Sequence, residues 1–405
     1  MLTLIPMSSP DITAAEIDAV MQVLQTPVLS IGPQIAAFEQ TLAAYVGLPH
    51  AVGVNSGTSG LHLCMIAADV AAGDYVITTP FSFIASANSI LYERAIPIFV
   101  DVDPATGNID PALLAEATEA LAAGGASARH WLPPALRDAG VTGRLRALLP
   151  VHAFGQPADM DPLLNLAHQH DLAVIEDACE AIGAEYKGRQ AGTLGDAAVF
   201  AFYPNKQMTT GEGGMIVTDR EDWLQLFRSL RNQGRDVFDA WLNHTRLGYN
   251  YRLDELSAAL GLAQIRRIDE LLAKRAQVAV WYNQRLANHD LIERPFVAEA
   301  TTRMSWFVYV VRIHAPASRD AVMHSLAEVG IPSRPYFTPI HLQPFYRSTF
   351  GYGAGDFPIT ERLGETSLAL PFSGVMSEEQ VDYVCEHILA AVERSVPSMY
   401  AVSGT

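Results

Sequence analysis

Cysteine is scarce in this sequence, and long apolar runs are missing. The three cysteines, Cys64, Cys179 and Cys385, lie in apolar surroundings without the spacing of metal ligands or of a disulfide framework. They predict buried thiols in a reducing cytoplasm and no metal site. No stretch approaches the ~20 uncharged apolar residues that span a bilayer, and the first residues lack the basic and apolar regions of a signal peptide. We therefore expect a cytoplasmic protein that does not enter a membrane.

Basic residues are also few relative to acidic ones. The 27 lysines and arginines stand against 44 aspartates and glutamates, so the formal net charge is −17 and the pI is near 5.1. Such a surface excludes an extended binding site for nucleic acid or for an anionic membrane. It does not exclude a small anionic ligand, which needs only a local cluster of arginines and backbone donors. With 405 residues, 49% of them apolar, the chain is long enough for two packed domains.

One stretch, residues 198–214, concentrates residues of chemical interest. An apolar run over 197–202 predicts a buried strand, and Lys206 follows it after Pro204. Burial at the end of a strand favours the neutral, nucleophilic form of a lysine amine. The Thr- and Gly-rich tract that follows allows unusual backbone angles, and a second apolar run over 215–218 predicts another strand. The alternative is a β-hairpin with a solvated lysine at its tip.

Two further stretches give this lysine a context. An apolar run within 172–184 leads to Asp177, and ligands of α/β sheets bind beyond the carboxyl ends of strands. The alternative for Asp177 is to cap a following helix. The turn at 55–60 lies between a predicted strand and an apolar helix, where backbone N–H groups and hydroxyls suit a phosphate. It has neither the Walker nor the dinucleotide glycine spacing. A phosphate site, an aspartate and a lysine in this order predict pyridoxal 5′-phosphate (PLP), with the lysine as its covalent anchor.

The sequence resembles the DegT/DnrJ/EryC1/StrS family of sugar aminotransferases over roughly residues 5–395. The resemblance is carried by the motifs SGTSGLHL (56–63), TTPFSFIASANSIL (78–91), FVDVDPATGNID (99–110), PVHAFGQPADM (150–160), EDACEAIGAEYKG (176–188), FYPNKQMTTGEGG (202–214), RNQGR (231–235), LGYNYRLDELSAALG (247–261) and PIHLQPFY (339–346). It implies the α/β fold of type I PLP enzymes. A large PLP-binding domain over 1–265, with N-terminal helices and a mostly parallel seven-stranded sheet between helices, would precede a small α+β domain over 266–405.

The resemblance also implies roles for residues around the cofactor. Lys206 would form the Schiff base and then move the proton, and Asp177 would pair with the ring nitrogen. The remaining contacts would come from Gly57, Thr58 and Ser59 at the phosphate, Phe83 stacked on the ring, and Glu180 beside the ring hydroxyl. Many relatives carry Gln at the position of Glu180. Many also carry a phosphate-binding Ser where this chain has Ala201. The alternative of ordinary core packing suits Phe81 better than Phe83.

Other implied contacts come from more distant segments. Asn250 and Arg252 would reach the cofactor of a partner subunit, although Asn250 also suits a simple turn. Arg334 and His341 lie in the segment that borders the sugar in the family, and Arg334 could meet the carboxylate of an amino donor or a nucleotide diphosphate. Relatives often have Tyr where this chain has Phe337. His152 comes just after a predicted strand, so we also count it as a candidate substrate contact.

These observations predict a PLP-dependent aminotransferase that works as a homodimer with active sites at the subunit interface. It would move an amino group from an amino acid, by resemblance L-glutamate, to the keto group of a nucleotide-linked deoxysugar or a related cyclitol. The product would enter a polysaccharide, glycan or glycosylated natural product. Three alternatives stay open: a type I PLP enzyme acting on small amino acids, a regulator or scaffold that kept the fold, and a PLP-dependent sugar dehydratase. Dehydratases of the family replace the lysine by histidine, so Lys206 counts against the last.

One connection is longer than the family pattern. Residues 122–146 are rich in Gly, Pro and Arg, and they predict an excursion at the surface without an assigned role.

Overall fold

The computed structural model describes residues 5–235 and 243–396. The strands, in chain order, are β1 (His50–Val54), β2 (Tyr75–Thr78), β3 (Ile96–Phe99), β4 (Leu145–Leu148), β5 (Ala173–Asp177), β6 (Glu185–Tyr186), β7 (Arg189–Gln190), β8 (Ala197–Ala201), β9 (Gly214–Thr218), β10 (Ile292–Glu293), β11 (Thr301–Arg303), β12 (Tyr309–Ile313) and β13 (Ser367–Leu370).

The helices fill the segments between these strands. They are α1 (Ala14–Leu24), α2 (Pro33–Val46), α3 (Gly57–Ala67), α4 (Ala85–Tyr92), α5 (Pro111–Ala123), α6 (Gly125–Trp131), α7 (Met160–His170), α8 (Glu221–Leu230), α9 (Glu255–Ile265), α10 (Ile268–Arg285), α11 (Arg319–Glu328), α12 (Pro344–Phe350), α13 (Pro358–Thr366) and α14 (Glu378–Ser395).

A seven-stranded sheet in the order β1-β9-β8-β5-β4-β2-β3 carries the site. All neighbouring strands run parallel except β9, which is antiparallel to both β1 and β8. Its strands consist largely of continuous apolar residues, which require cover on both faces. Helices α2 and α9 pack with Phe38 and Leu262 into one core, and α3 and α8 pack with Leu61 and Phe227 into another. The predicted mostly parallel seven-stranded α/β sheet is therefore confirmed.

A smaller antiparallel sheet, β10-β12-β13, lies in the C-terminal part. Helices α10, α11 and α14 pack on it around a core that includes Tyr282, Tyr309 and Val384. A third small sheet joins β11 to the β6–β7 hairpin, with Thr301 opposite Tyr186. Because this sheet joins segments from both sides of residue 265, the two parts are in direct contact. The division at 265/266 stays a prediction.

The apolar pattern of residues 254–272 predicts one continuous helix, and this prediction is wrong in one respect, because the helix breaks between α9 and α10. Arg267 has non-helical backbone angles, with φ −120° and ψ 20°. Its guanidinium donates to Asp11 Oδ1 and Glu16 Oε1, both at 3.1 Å. The apolar periodicity continues through the break, so the sequence pattern does not reveal it. In the structure, the break occurs where Arg267 pairs with the N-terminal segment.

The excursion at 122–146 is ordered and packed. It contains α6 and a short 3-10 turn at Pro134–Leu136. Leu132 is buried, and Leu136 packs against a cluster that contains Phe99 and Tyr352. Among the helices within 5–235 and 243–396, none combines the length and the apolar character that a membrane span requires.

Helix α2 begins at Pro33 with a glycine, Gly32, at its N-cap, so no side chain of its own caps it. The carboxylate of Glu255, the first residue of α9, takes this role. It is buried and accepts hydrogen bonds from the backbone N–H groups of Gly32, Gln34 and Ile35 at 3.1, 2.8 and 3.0 Å. One carboxylate thus satisfies the start of α2 and ties it to α9.

We expect Glu255→Ala to lower the free energy of unfolding by about 2–4 kcal/mol, because three backbone N–H groups, one of them fully buried, lose a charged acceptor. Urea denaturation measures the change. The matched control is Glu119→Ala on α5, whose side chain is exposed and should change stability by less than about 0.5 kcal/mol. Equal stability of the two variants would contradict this capping role.

Candidate active site

A cavity of about 460 Å³ opens at the carboxyl ends of β5 and β8, beside the start of α3. Six of the predicted site residues line it, although they lie far apart in the sequence. They are Gly57, Thr58, Phe83, Asp177, Glu180 and Lys206. The parallel pairing of β5 with β8 brings both strand ends to the same edge of the sheet, where ligands of α/β sheets bind.

Lys206 lies in a tight turn after β8. The turn is closed by the Lys206 N–H, which donates to the Tyr203 carbonyl at 2.9 Å, and by the Thr209 hydroxyl, which donates to the Phe202 carbonyl at 2.9 Å. Strands β8 and β9 are antiparallel neighbours, as in the hairpin alternative. The lysine is nevertheless not solvated, because only 13% of its side chain is exposed. Its Nζ lies 3.3 Å from Glu180 Oε1 and 3.8 Å from the ring centroid of Phe307.

The whole sequence contains three lysines, Lys187, Lys206 and Lys274. Lys187 forms an exposed ion pair with Asp161, and Lys274 pairs with Asp11 and Glu270. Neither lines the cavity. Among the three lysines, all within the described part of the chain, Lys206 is therefore the one whose amine lies at the cavity.

The lysine faces an acidic neighbour. Glu180 Oε2 accepts a hydrogen bond from the Phe154 N–H at 2.9 Å, which directs Oε1 toward Lys206. Burial raises the pKa of the Glu180 carboxyl, although the nearby positive charge of Lys206 opposes that effect. A carboxyl group in this environment can hold or release a proton beside the amine.

Asp177 ends β5 and points its carboxylate into the cavity. Its Oδ2 accepts a hydrogen bond from the Ser86 hydroxyl at 2.6 Å, and its Oδ1 accepts one from the Cys179 N–H at 3.2 Å. The Ser86 hydroxyl also lies 2.9 Å from that of Ser82. Residues 178–184 form turns and no helix, so Asp177 does not cap a helix. These bonds fix the orientation of a carboxylate that still has acceptor capacity for a ligand.

The start of α3 forms a cradle for an anion. The Ser56 hydroxyl accepts from the Ser59 N–H at 3.1 Å and caps the helix. A Cβ on Gly57 would lie 2.8 Å from both Cys179 Sγ and Ala201 Cβ. Glycine therefore lets the helix N-terminus, with its partial positive charge, approach β8 closely. Ser59 does not line the cavity, since its hydroxyl bonds within the turn and its side chain is buried.

The two phenylalanines of the loop after β2 differ as expected. Phe83 is 63% exposed and lines the cavity. Phe81 is buried against Phe154 and Phe337, so its prediction as a core residue is confirmed. A free aromatic face at the cavity wall suits a flat ring.

The cysteine prediction requires one correction. Cys64 and Cys385 are buried, but Cys179 is only half-buried and lines the cavity. Burial, together with the negative charge of Asp177, raises the pKa of the Cys179 thiol well above its ordinary value. The thiol is therefore protonated and acts as a small packing group rather than a nucleophile.

His152 lies behind the strand ends rather than in the cavity. It is fully buried, its Nδ1 accepts from the Ala158 N–H at 3.1 Å, and its Nε2 therefore donates to Glu176 Oε2 at 2.8 Å. Its backbone N–H donates to the Asp177 carbonyl at 3.1 Å. The geometry supports a contribution to the backbone of Asp177 and offers no direct substrate contact.

His341 and Arg334, both predicted near the substrate, lie in different surroundings in the structure. His341 is buried, with Nε2 3.0 Å from Glu361 Oε1, and it does not line the cavity. Arg334 lines a neighbouring groove of about 410 Å³, which shares Tyr203 and Tyr336 with the cavity. Only the arginine keeps a position from which it could meet a substrate.

Asn250 and Arg252 do not line the cavity of their own chain. Asn250 is exposed, and the Arg252 guanidinium donates to Asn232 Oδ1 at 3.0 Å and Gln233 Oε1 at 3.2 Å. Their contact with a partner subunit stays a prediction.

Several lining residues were not predicted from the sequence. Ser86 has a weak local signal, since it lies four residues after Ser82 on the first turn of α4. Phe307 and Tyr336 come from the C-terminal part, where no local pattern distinguishes them from core aromatics.

A buried lysine, a strand-end carboxylate and a helix N-terminus at one sheet edge define the site of a lysine-linked PLP enzyme. The residues fit the cofactor, because the Gly57 cradle suits its phosphate, Phe83 its ring and Asp177 its ring nitrogen.

The chain belongs to the DegT/DnrJ/EryC1/StrS aminotransferase family, whose model matches residues 10–389. It is thus a PLP-dependent aminotransferase. It is 40% identical to GDP-perosamine synthase of Caulobacter vibrioides over 94% of this chain and 96% of that protein. The structure of DesV from S. venezuelae is similar, with a TM-score of 0.84 and 31% identity over 96% of this chain and 99% of that one. Spr1654 from Streptococcus pneumoniae in its PLP form has a TM-score of 0.85 at 26% identity, over 98% and 100% of the two chains.

Glu176 lies one residue before Asp177 on β5 and binds the loop between β7 and β8. It is fully buried and accepts from the N–H groups of Gly192, Leu194 and Gly195 at 2.8, 2.7 and 2.8 Å, besides His152. Burial acts to raise the pKa of Glu176, but these hydrogen bonds lower it below its ordinary value of 4.5. The ionised carboxylate therefore stabilises the fold above about pH 4.5, and this contribution is lost as the pH falls.

We expect Glu176→Gln to be less stable than the wild type by about 2–4 kcal/mol at pH 7. The gap should narrow toward pH 3, because the variant has no carboxylate to protonate at this position. Urea denaturation across this pH range measures it. Exposed Glu299 provides the control Glu299→Gln, which should follow the wild type at every pH. A gap that does not change with pH would contradict the assignment.

Proposed function

We propose that this enzyme transfers the amino group of L-glutamate to the keto group of a nucleotide-linked deoxysugar. The observation that carries the proposal is the Lys206 amine, held 3.3 Å from Glu180 in the cavity that Asp177 also lines. The similarity to GDP-perosamine synthase supports a nucleotide-linked sugar as the substrate.

Each residue of the site receives a role in this proposal. Lys206 would anchor PLP covalently, Asp177 would hold its ring nitrogen, and the N-terminus of α3 at Gly57 and Thr58 would hold its phosphate. The ring of Phe83 would lie against the cofactor ring. When bound, PLP supplies the electron sink that allows the C–N bonds of both substrates to be exchanged.

The protein groups then control the proton. With PLP bound, the Lys206 amine would act as the base and acid that removes and returns the proton of the amino donor. Glu180 lies within hydrogen-bonding distance of that amine and carries a raised pKa, so it keeps a proton available. The rings of Phe307 and Tyr336 line the cavity from the C-terminal part and give it an apolar wall.

The groove beside the cavity suits the polar part of a substrate. Arg334 lines it together with Tyr203 and Asn205, so a cation and aromatic faces stand next to the lysine turn. Its guanidinium matches the carboxylate of the donor or the diphosphate of the sugar nucleotide. We further propose a homodimer, in which Asn250 and Arg252 complete the cofactor site of the partner.

The visible absorbance of the protein with PLP tests the role of Lys206. Purified protein with PLP should show a visible absorption band that L-glutamate bleaches, whereas Lys206→Ala should not form the lysine-linked band and should not respond on the same timescale. Lys187→Ala is the matched control and should behave as the wild type, because its amine is exposed and paired with Asp161. A bound cofactor that ignores every amino acid would favour the dehydratase alternative. Absence of any cofactor band would refute the enzyme assignment.

Steady-state kinetics test the role of Arg334. A panel of GDP-, UDP- and dTDP-linked keto-deoxysugars should contain a substrate that restores the band after glutamate has bleached it. With that pair, Arg334→Ala should raise the KM of either the donor or the sugar nucleotide at least tenfold, with a smaller change in kcat. The substrate affected identifies the partner of the guanidinium. Exposed Arg347 gives the control Arg347→Ala. Unchanged KM values for both substrates would exclude Arg334 from the site.

A further inference from the structure

Arg275 on α10 is a buried cation whose hydrogen-bond acceptors are carbonyl oxygens, and its guanidinium also lies 5.4 Å from the ring centroid of Phe372. The residue is 4% exposed. Its Nε donates to the Trp306 carbonyl at 2.9 Å, and its Nη2 donates to the carbonyls of Asn205 at 2.9 Å and Phe307 at 3.0 Å. Within the described parts of the chain, no ion pair with a carboxylate accompanies these bonds, and burial lowers the pKa of the guanidinium to about 10.

Burying such a charge is costly unless hydrogen bonds satisfy it. The three bonds satisfy it through neutral groups, and two of the three acceptor residues, Asn205 and Phe307, line the cavity. Asn205 directly precedes Lys206, and its carbonyl takes one of the bonds. The ring of Phe307 covers the amine of Lys206, with its centroid 3.8 Å from Nζ.

Arg275 also links two segments that lie next to different sheets. The turn with Asn205 follows β8 of the seven-stranded sheet, whereas Phe307 precedes β12 of the small sheet. The next turns of α10 pack into the core of the small sheet through Val278 and Tyr282. One guanidinium therefore holds the lysine turn and the aromatic that covers the lysine in a fixed relation.

We propose that Arg275 is a positioning residue that sets the orientation of the Lys206 amine in the cavity. The proposal rests on the proposed function only in taking Lys206 as the anchor of PLP. A lysine at position 275 carries the charge but has a single nitrogen, which does not span three carbonyls. A methionine leaves all three carbonyls without their donor.

The experiment compares Arg275→Lys and Arg275→Met with the control Arg285→Met. Arg285 lies on the same helix and pairs with Asp382 and Glu378 at the surface. The first readout is the rate at which the visible band forms when PLP is mixed with cofactor-free protein. We expect this rate to fall at least tenfold in Arg275→Met, to fall less in Arg275→Lys, and to stay within twofold of the wild type in the control.

The second readout needs no cofactor. Reductive methylation of cofactor-free protein with formaldehyde, followed by mass spectrometry, compares the labelling rates of Lys206 and Lys187. In Arg275→Met, the labelling rate of Lys206 divided by that of Lys187 should rise at least threefold. The reason is that the Lys206 amine would no longer be held against the ring of Phe307. Because Lys187 is already exposed in the folded protein whereas Lys206 is not, global unfolding would also raise this ratio, so urea denaturation must show that each variant is folded under the labelling conditions.

The outcomes separate the two proposals. If wild-type protein forms no band with PLP, the proposed function fails, and the methylation ratio still tests Arg275. If the wild type forms the band and Arg275→Met matches it in both readouts, the positioning role is overturned. Should the methionine variant fail to fold, Arg275→Lys decides, and wild-type values in both of its readouts overturn the proposal.

Discussion

The position of the Lys206 amine depends on hydrogen bonds that are made by the groups around it and not by the lysine side chain. Lys206 is held in place because the turn around it is closed by backbone and threonine hydroxyl bonds, and because a guanidinium takes the carbonyl of the preceding residue. A lysine side chain has several rotatable bonds and costs entropy to order. The protein offsets this cost with a rigid turn, an aromatic face and a facing carboxylate. The sheet edge serves to place these groups together.

The sequence predicted the parts of the site that depend on local pattern. Asp177 and Lys206 each follow an apolar run that had to be a buried strand, so both were placed at strand ends. Gly57 could be recognised because a glycine and hydroxyl turn before an apolar helix is typical of anion sites. These inferences require only the nearest neighbours in the chain. The seven-stranded sheet was instead an implication of the family resemblance, which extends over nearly the whole sequence.

What the sequence did not show depends on contacts between distant segments. The break before α10 accompanies the pairing of Arg267 with Asp11 and Glu16, which the apolar periodicity does not record. His341 was expected near the substrate, but its bond to Glu361 lies in a buried region away from the cavity. Phe307, Tyr336 and Arg275 all come from the C-terminal part, and their sequence surroundings resemble those of ordinary core residues. Tertiary packing alone decides which aromatic ring or cation reaches the lysine.

The acidic composition and the proposed anionic substrates are compatible on electrostatic grounds. At physiological ionic strength the Debye length is about 8 Å, so exposed carboxylates affect a charge inside the cavity weakly, whereas buried groups are screened far less. The groups close to the site include the amine of Lys206, the guanidiniums of Arg275 and Arg334, and the N-terminus of α3. Burial raises the pKa of Glu180 and favours its neutral form, which reduces the opposing charge. Asp177, Glu180 and Glu212 also line the cavity, so its positive groups act locally. A chain with a net charge of −17 can still place an amine, a guanidinium and backbone N–H donors next to phosphate and carboxylate groups.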